Sequence, residues 1–409
     1  MPFCMSKCPY CDFYSVPRPK PEMLEAFTEA LCREIEYYAA NRAEDCPPGQ
    51  PEPREKRAES RPEQPEPREN RAESRPGCSP EQPERPVESI YFGGGTPCLL
   101  GEKQFATIMK RLREGFFIDE ETEISMEANP AAVTEAKLAA FKEAGLNRLS
   151  IGAQSFDDRV LKILGRFHKR EHIAETVAAA RRAGLDNISL DLMFGISGQS
   201  FESWRDSVRQ VIELEPKHIS LYSLEIMDNT RFARDFDRGI YHQTDEEEDR
   251  RMYREALEML DAAGIMQYEI SNAAIPGYEC KHNMRYWNMG EYLGFGPSAH
   301  SFVQGVRYAN IADVNAYMDR PTNAVQNRTV NTEHDNISEY IFTGLRRNKG
   351  ISKADFRRKF GREIWEFYPE EHREFREFVY GGFAFEDEES IGLTRRGMDI
   401  SNKIMMIFV

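Results

Sequence analysis

A chain of 409 residues, 40% of them hydrophobic, is long enough for one large domain and a smaller one. Its formal net charge of -15 and pI near 5.2 speak against broad nucleic-acid binding, which needs a basic surface to displace counterions. It holds no long uncharged apolar run of the kind that crosses a bilayer, so composition predicts a cytoplasmic protein that binds no nucleic acid.

The first element is Met1-Pro-Phe-Cys-Met-Ser-Lys-Cys-Pro-Tyr-Cys-Asp-Phe. Cys4, Cys8 and Cys11 follow C-x-x-x-C-x-aromatic-C, which puts three thiolates on one short loop, near enough to grip one iron–sulfur cluster from one side. Three is the informative count. A cubane held by three cysteines keeps one iron without a protein ligand, and a substrate or cofactor must complete it. The spacing is similar to the signature of radical S-adenosylmethionine (SAM) enzymes. Structural zinc usually takes paired knuckles closing a tetrahedron, and no second C-x-x-C follows. A disulfide framework needs an oxidising compartment, yet Met1 runs straight into the motif without a signal peptide. Cys32, Cys46, Cys78, Cys98 and Cys280 lack partner spacing and read as reduced bystanders.

Pro19 to Ala40 predicts a helix, because Leu24, Phe27, Leu31, Ile35 and Tyr38 recur at three- and four-residue steps. An insert over 42–86 follows, almost wholly Pro, Glu, Arg, Ser and Gln from Pro47 on, in which the stretch beginning at Pro51 returns nearly verbatim at Pro65. It has too little apolar surface to offset the entropy of ordering, so a disordered surface loop is expected. From Val87 a strand–helix rhythm begins. Val87 to Phe92 is a β run ending in Gly93-Gly-Gly-Thr-Pro, and Glu102 to Phe116 is helical. Further strands are expected over Glu123–Glu127, Arg148–Ile151, Asn187–Leu192, His218–Leu224 and Gln267–Ile270. Three intervening helices end on Gly145, Gly184 and Gly264, each followed by an apolar residue that packs back on its helix. This is repeated βα architecture with a parallel sheet, as a full or partial barrel or a doubly wound sheet. Glu127, Gln154, Asp191 and Glu225 all fall at or near the C-terminal ends of apolar strands, the rim where barrels build sites, which favours a barrel. The barrel domain is expected over 1–325. From 326 to 409 the rhythm is lost. Helices over Ile337–Leu345, Ser352–Phe360 and Met398–Phe408, with short strands at Gly381–Phe385 and Ser390–Thr394, predict a smaller α+β winged-helix-like cap.

With these pieces in order, the chain resembles the oxygen-independent coproporphyrinogen III oxidase-like radical-SAM family, most closely its heme-chaperone branch. The resemblance rests on Pro2 to Ser15, Tyr91-Phe-Gly-Gly-Gly-Thr-Pro, Glu127-Ala-Asn-Pro, Ser150-Ile-Gly-Ala-Gln-Ser-Phe, Asp191-Leu-Met-Phe-Gly and His282-Asn-Met-Arg-Tyr-Trp. It implies a partial radical-SAM barrel in which Cys4, Cys8 and Cys11 bind a 4Fe-4S cluster whose open iron is chelated by SAM. It also implies contacts to SAM from the Tyr10 backbone, Gly94, Gly95 and Thr96, and from Glu127, Gln154, Arg166 and Asp191. Arg166 would pair with the SAM carboxylate, and an acidic side chain with the ribose hydroxyls. The glycine run would let the backbone approach the methionyl amine, since no side chain intervenes. In active members one electron passes from the reduced cluster to SAM, so an electron donor is implied wherever SAM is cleaved.

Two features separate the branches. Dehydrogenases of the family carry a cysteine two residues after the third ligand, where this chain has Phe13. The His282 to Trp287 motif looks like the chaperone branch: an imidazole is a natural axial iron ligand, and Tyr286 and Trp287 offer flat faces for a porphyrin. His282, Asn283, Tyr286 and Trp287 are thus candidate heme residues, with His300 in Gly-Pro-Ser-Ala-His a second candidate ligand; His282 read alone is more often structural. The implied partners are heme as cargo and heme-accepting proteins, with a peripheral membrane encounter through those acceptors. The competing readings are a coproporphyrinogen III dehydrogenase and a zinc-stabilised binding module. Relatives usually carry a strand ahead of Pro2-Phe-Cys, whereas this sequence begins at Met1: either that strand is missing, which would leave a barrel edge unpaired, or the start codon was assigned late.

Overall fold

The computed structural model describes residues 1–41 and 86–409; the proline-rich insert, with Cys46 and Cys78, falls on 42–85, outside the described residues. The chain starts with β1 (Phe3–Cys4), the cysteine loop, β2 (Val16–Pro17) and α1 (Pro21–Ala40). The strand–helix rhythm then follows as expected: β3 (Ser89–Phe92), α2 (Glu102–Gly115), β4 (Glu123–Ala128), α3 (Glu135–Glu143), β5 (Arg148–Gln154), α4 (Asp158–Ile163), α5 (Arg170–Arg182), β6 (Ile188–Phe194), α6 (Phe201–Glu213) and β7 (His218–Ser223). After these come α7 (Arg231–Asp237), α8 (Glu246–Ala262), β8 (Met266–Glu269) and β9 (Asn272–Ala274).

The seven strands β3 to β9 form one sheet in the order β3-β4-β5-β6-β7-β9-β8. The first five run parallel, each return made through a helix. The sheet is not parallel throughout, however. β9 pairs antiparallel with β7 and with β8, because only Ile270 and Ser271 separate the last two strands and a parallel return needs a long crossover. The result is a partial barrel with helices packed outside. At one end lies β3, paired only with β4 among the described residues. Leu149, Ile151, Leu190, Leu192, Ile219 and Leu221 build its core with Phe105, Phe141 and Trp204 from the helices. The Trp204 indole, fully buried, donates to the Met252 carbonyl at 2.7 Å.

Beyond the barrel strands, α9 (Lys281–Trp287) leads to an antiparallel meander of β10 (His300–Val303) and β11 (Val306–Asn310), then α10 (Val314–Asp319) and β12 (Val325–Val330), which pairs with β11. The C-terminal unit holds α11 (Glu333–Gly344), β13 (Ile351–Ser352), α12 (Lys353–Phe360), α13 (Ile364–Phe367), α14 (Glu371–Tyr380), β14 (Ala384–Glu386), β15 (Ser390–Leu393), α15 (Arg395–Met398) and α16 (Ser401–Met405). Its three strands form a small antiparallel sheet, β13-β15-β14, and its apolar residues make a second cluster with Met289 and Phe302. Helix α14 was not expected: it buries only Phe375 on a highly charged segment, too little apolar signal to be read. The final helix is broken instead of continuous, since Ile400 (φ -119°, ψ 25°) leaves helical geometry between α15 and α16. Among the described residues no helix is long and apolar enough to cross a membrane.

Candidate functional site at the barrel mouth

The cysteine loop is pinned at its base. β1 pairs with β2, and the strand-end loop after β3 takes up residues 1–3: Gly95 N–H donates to the Met1 carbonyl (2.7 Å) and Thr96 N–H to that of Phe3 (2.6 Å). Here the glycine run is obligatory. A Cβ on Gly94, whose φ is +104°, would lie 3.0 Å from the Met1 oxygen, and one on Gly95 2.5 Å from that of Phe3. The close approach that glycine permits is thus used by the chain's own backbone, to dock the cysteine loop onto the barrel rim.

Two of the three thiols are held by side chains from distant segments, the loop after β3 and the link between α4 and α5. Thr96 Oγ1 donates to Cys4 Sγ at 3.5 Å, and Arg166 Nη1 to Cys8 Sγ at 3.7 Å. Asn129 joins these donors: its Nδ2 donates to Thr96 Oγ1 (3.1 Å), and its Oδ1 accepts from Arg166 Nη2 (2.5 Å). Asn129 was not singled out in the sequence, although it sits in the Glu127-Ala-Asn-Pro motif. The Cys11 thiol is half-buried and pushed up by that burial, and Cys11 N–H closes a turn onto the Cys8 carbonyl at 3.2 Å. Beside it the Tyr10 ring packs on Phe232 at 6.2 Å. Among the described residues no three His, Cys, Asp or Glu side chains converge on a single metal position. A cubane asks something else, since it takes each thiolate on a separate iron.

Beneath the loop, the barrel interior is acidic and closely fitted. Glu127 accepts from Tyr91 OH (3.0 Å) and Gly94 N–H (3.2 Å), and burial pushes its carboxyl up to about 7, with the Asp191 charge adding to the shift. Asp191 accepts from Ser150 Oγ at 3.0 and 3.1 Å, and its carboxyl is likewise raised, chiefly by burial. Gln154 ends β5 in the left-handed region (φ +63°). A Cβ on Gly152 would meet Gln154 Nε2 at 2.7 Å and Arg166 Nη2 at 3.2 Å, so this glycine lets both side chains close over the backbone. Arg166 Nη2 also donates to the Gly152 carbonyl (2.9 Å), which fixes its guanidinium toward the thiols. Cys4, Cys8, Tyr10, Thr96, Glu127, Gln154, Arg166 and Asp191 are therefore connected through these contacts or neighbouring strand ends. Glu225 lies just past β7 and is exposed.

The His282 motif occupies α9 at the other end of the strands. The Glu123 carboxylate, from the first residue of β4, accepts from the backbone N–H groups of Lys281 (3.3 Å) and His282 (3.4 Å), seating the positive end of the helix. His282 stacks on Tyr91 (4.9 Å, 18°), its Nδ1 meets Ser89 Oγ at 3.0 Å and its Nε2 meets Tyr286 OH at 3.1 Å. Burial pushes its imidazole down to about 4. Both His282 and Tyr286, with Asn283 and His300, line a cavity of about 1310 Å³ that runs along β3 between α1, α2 and the 291–303 segment. Trp287 does not line it: its ring lies under the Arg346 guanidinium at 4.4 Å.

A model of the radical SAM superfamily matches residues 80–211, and one of the HemN C-terminal domain matches 331–400. The chain is 32% identical to the heme chaperone HemW of Bacillus subtilis, covering 100% of this chain and 97% of that relative. It is 28% identical to the Lactococcus lactis protein of the same name (100% and 96%) and 33% identical to that of Escherichia coli (74% and 68%). Among solved structures it superposes on coproporphyrinogen III oxidase of Escherichia coli, described as a radical SAM enzyme, with a TM-score of 0.79 at 22% identity, over 100% of this chain and 88% of the other.

Proposed function

We propose, from the premise that the chain belongs to the radical SAM superfamily and within it to the family of the heme chaperone HemW, that it binds heme and passes it to acceptor proteins. The observation that carries this reading is full-length similarity to proteins of that name, joined to a cysteine loop docked on a barrel mouth. Family membership implies a 4Fe-4S cluster and SAM. The residues of this chain fit both. Three free thiols stand on one loop, two of them already accepting hydrogen bonds from Thr96 and Arg166, as cluster sulfurs do. Cys4, Cys8 and Cys11 would hold the cluster, which when bound supplies one-electron chemistry and an open iron. The interior below supplies acidic acceptors at Glu127 and Asp191.

In this reading each residue has a positional task. Arg166, anchored by Asn129 and the Gly152 carbonyl, presents a fixed cation where a carboxylate would be received. Asp191 and Gln154 offer partners for ribose hydroxyls, and Glu127 fixes the glycine loop through Gly94 N–H. Tyr10 closes the adenine side with its backbone, its ring held against Phe232. Phe13, 60% exposed, stands where the dehydrogenases of the family carry a further cysteine, which removes a thiol from the mouth.

The test is anaerobic reconstitution with iron and sulfide, titration with hemin, and incubation with apomyoglobin as a probe acceptor. The expected result is one tightly bound heme per chain, seen in the Soret band, and its transfer to the probe. Absence of specific binding with an intact cluster rejects the proposal. A parallel incubation with coproporphyrinogen III, SAM and reductant should yield no protoporphyrinogen; turnover there would assign the dehydrogenase instead.

A further inference from the structure

The chain carries a net charge of -15, yet one segment of the barrel mouth has the opposite sign. From Arg159 to Arg170, through α4 and its link to α5, the sequence holds Arg159, Lys162, Arg166, Lys169 and Arg170 and no carboxylate. Arg159 pairs with Asp157 (2.8 Å) and Arg170 with Glu171 (3.6 Å), while Arg166 is turned inward to Cys8 and Asn129. Lys162 and Lys169 are exposed, as is Lys7 on the cysteine loop. Their ammonium groups have no ion partner among the described residues. The segment lies directly against that loop, since a Cβ on Gly165 would fall 2.6 Å from Pro9 Cδ.

The same segment holds an aromatic ring out in water. Phe167 is 79% exposed, while both its neighbours are anchored. Arg166 is tied to the Gly152 carbonyl and to Asn129, and the buried His168 sets its Nε2 3.1 Å from the Ala153 carbonyl. Arg170 N–H donates to Asp158 Oδ1 (3.0 Å) and closes the segment. The ring is thus presented from a fixed backbone, with exposed Ile163 and unpaired lysines about it. A rigid apolar anchor inside a cationic rim matches a partner with an acidic face. A flat anionic bilayer is a poorer match. On the other side of the loop, where Phe232 N–H donates to the Pro9 carbonyl (3.0 Å), Glu225, Asp228, Asp235 and Asp237 outnumber three arginines and would repel it. What lies beneath the anchor narrows the partner further. Arg166, next to Phe167, reaches Cys8 Sγ at 3.7 Å, so a protein seated on the ring stands over the thiols. Electron transfer weakens steeply with distance, and redox encounters manage with small interfaces, under roughly 1,200 Å².

We infer that an acidic one-electron donor protein, carrying a reduced flavin or iron–sulfur group, docks on this segment with Phe167 as its apolar anchor and Lys7, Lys162 and Lys169 as its charge contacts. The inference rests on the cluster that the heme-chaperone reading includes, and it names the side from which the electron arrives. The donor is oxidised by one electron as the cluster is reduced by one. The probe is an acidic FMN flavodoxin, offered to the reconstituted full chain, to the double variant Lys162→Glu with Lys169→Glu, and to Phe167→Ser. Binding of the oxidised flavodoxin is read by calorimetry, and cluster reduction by its hydroquinone is read by anaerobic stopped-flow absorbance. A second double variant, Lys103→Glu with Lys110→Glu on α2, makes the same change of net charge at exposed positions away from the mouth. Both mouth variants should bind the flavodoxin about tenfold more weakly and be reduced by it correspondingly more slowly. The steep loss of wild-type binding with added salt should disappear in the charge reversal. Reduction by dithionite and uptake of hemin should be unchanged, and the α2 variant should behave as wild type. The inference is overturned if the mouth variants match wild type, or if the α2 variant loses as much. It is equally overturned if the wild type binds phosphatidylglycerol vesicles and not the flavodoxin. In each case hemin uptake reports separately that the chaperone reading stands. Failure of hemin uptake on a chain with an intact cluster strikes that reading alone, and failure of any cluster to assemble removes both.

Discussion

At the scale of the single residue, the thiols of Cys4 and Cys8 are each addressed by a donor, and Asn129 locks the two donors to one another. Hydrogen bonds and positive charge near cluster sulfurs favour the reduced form. Thr96→Val and Arg166→Gln should therefore shift the cluster's reduction potential to more negative values, and Asn129→Ala should reproduce part of both shifts, measured by redox titration followed by electron paramagnetic resonance. Unchanged potentials would show that the donors do not reach the cluster. The thiols themselves were readable from spacing, since three cysteines within eight residues is a local pattern. Asn129 was not, because an asparagine after a strand is usually a turn residue and only the fold brings it between Thr96 and Arg166. Glu34 was invisible for a similar reason: in the sequence it is one more polar residue on α1. In the structure it is fully buried and accepts from Gly296 N–H (2.8 Å), Asn310 Nδ2 (2.6 Å) and Tyr317 OH (2.5 Å), with burial pushing its carboxyl from 4.5 up to about 7. The native state thus keeps an extra proton, and the stability this confers is whole below 4.5 and drains away as pH rises through 7. The ceiling of that loss is about 3 kcal/mol. Glu34→Gln should flatten the fall in unfolding free energy between about pH 5 and 8 in denaturant titrations. A variant with the wild-type slope would reject this account.

At the scale of the element, strands β3 to β7 and their helices were legible because apolar runs and helix-stopping glycines recur with a fixed rhythm. Gly145, Gly184 and Gly264 all adopt positive φ, +116°, +79° and +77°. They do not do so at equal cost to a replacement. Gly264 lies in the left-handed well with nothing within 4 Å of its Cβ position, so Gly264→Ala should cost about 1 kcal/mol. Gly145 lies outside that well, where any side chain strains the backbone, so Gly145→Ala should cost about 2–3 kcal/mol even though the exposed Arg113 can swing clear of the new methyl. Equal losses in thermal or urea unfolding would refute the ranking. What sequence could not reveal was order: β8 keeps the direction of the barrel strands, but the short link at Ile270-Ser271 turns the chain back so that β9 slips in, reversed, between β8 and β7. The His282 motif was visible as a motif, yet its geometry was not, because Ser89, Tyr91 and Glu123, which fix it, lie far away in the chain.

At the scale of the molecule, the C-terminal unit is stitched to the end of the barrel sheet. Ile270 N–H donates to the Arg346 carbonyl (3.1 Å), Asn348 N–H to that of Tyr268 (3.0 Å), and the Arg346 guanidinium reaches Glu269 (3.5 Å), whose carboxylate is fully buried. Arg346→Ala would leave that carboxylate without its ion partner and should lower stability by about 3 kcal/mol. Adding Glu269→Gln should recover most of the loss; failure to recover in a double-mutant cycle would show that the guanidinium acts through its stacking on Trp287 instead. None of this seam was legible, since it joins residues that follow no common pattern. One consequence concerns the way the chain comes apart. A seam that ties backbone to backbone leaves neither side an exit of its own, so the C-terminal unit and the end of the sheet should melt as one cooperative block, with the amides of Ile270 and Asn348 exchanging their hydrogens at a common rate.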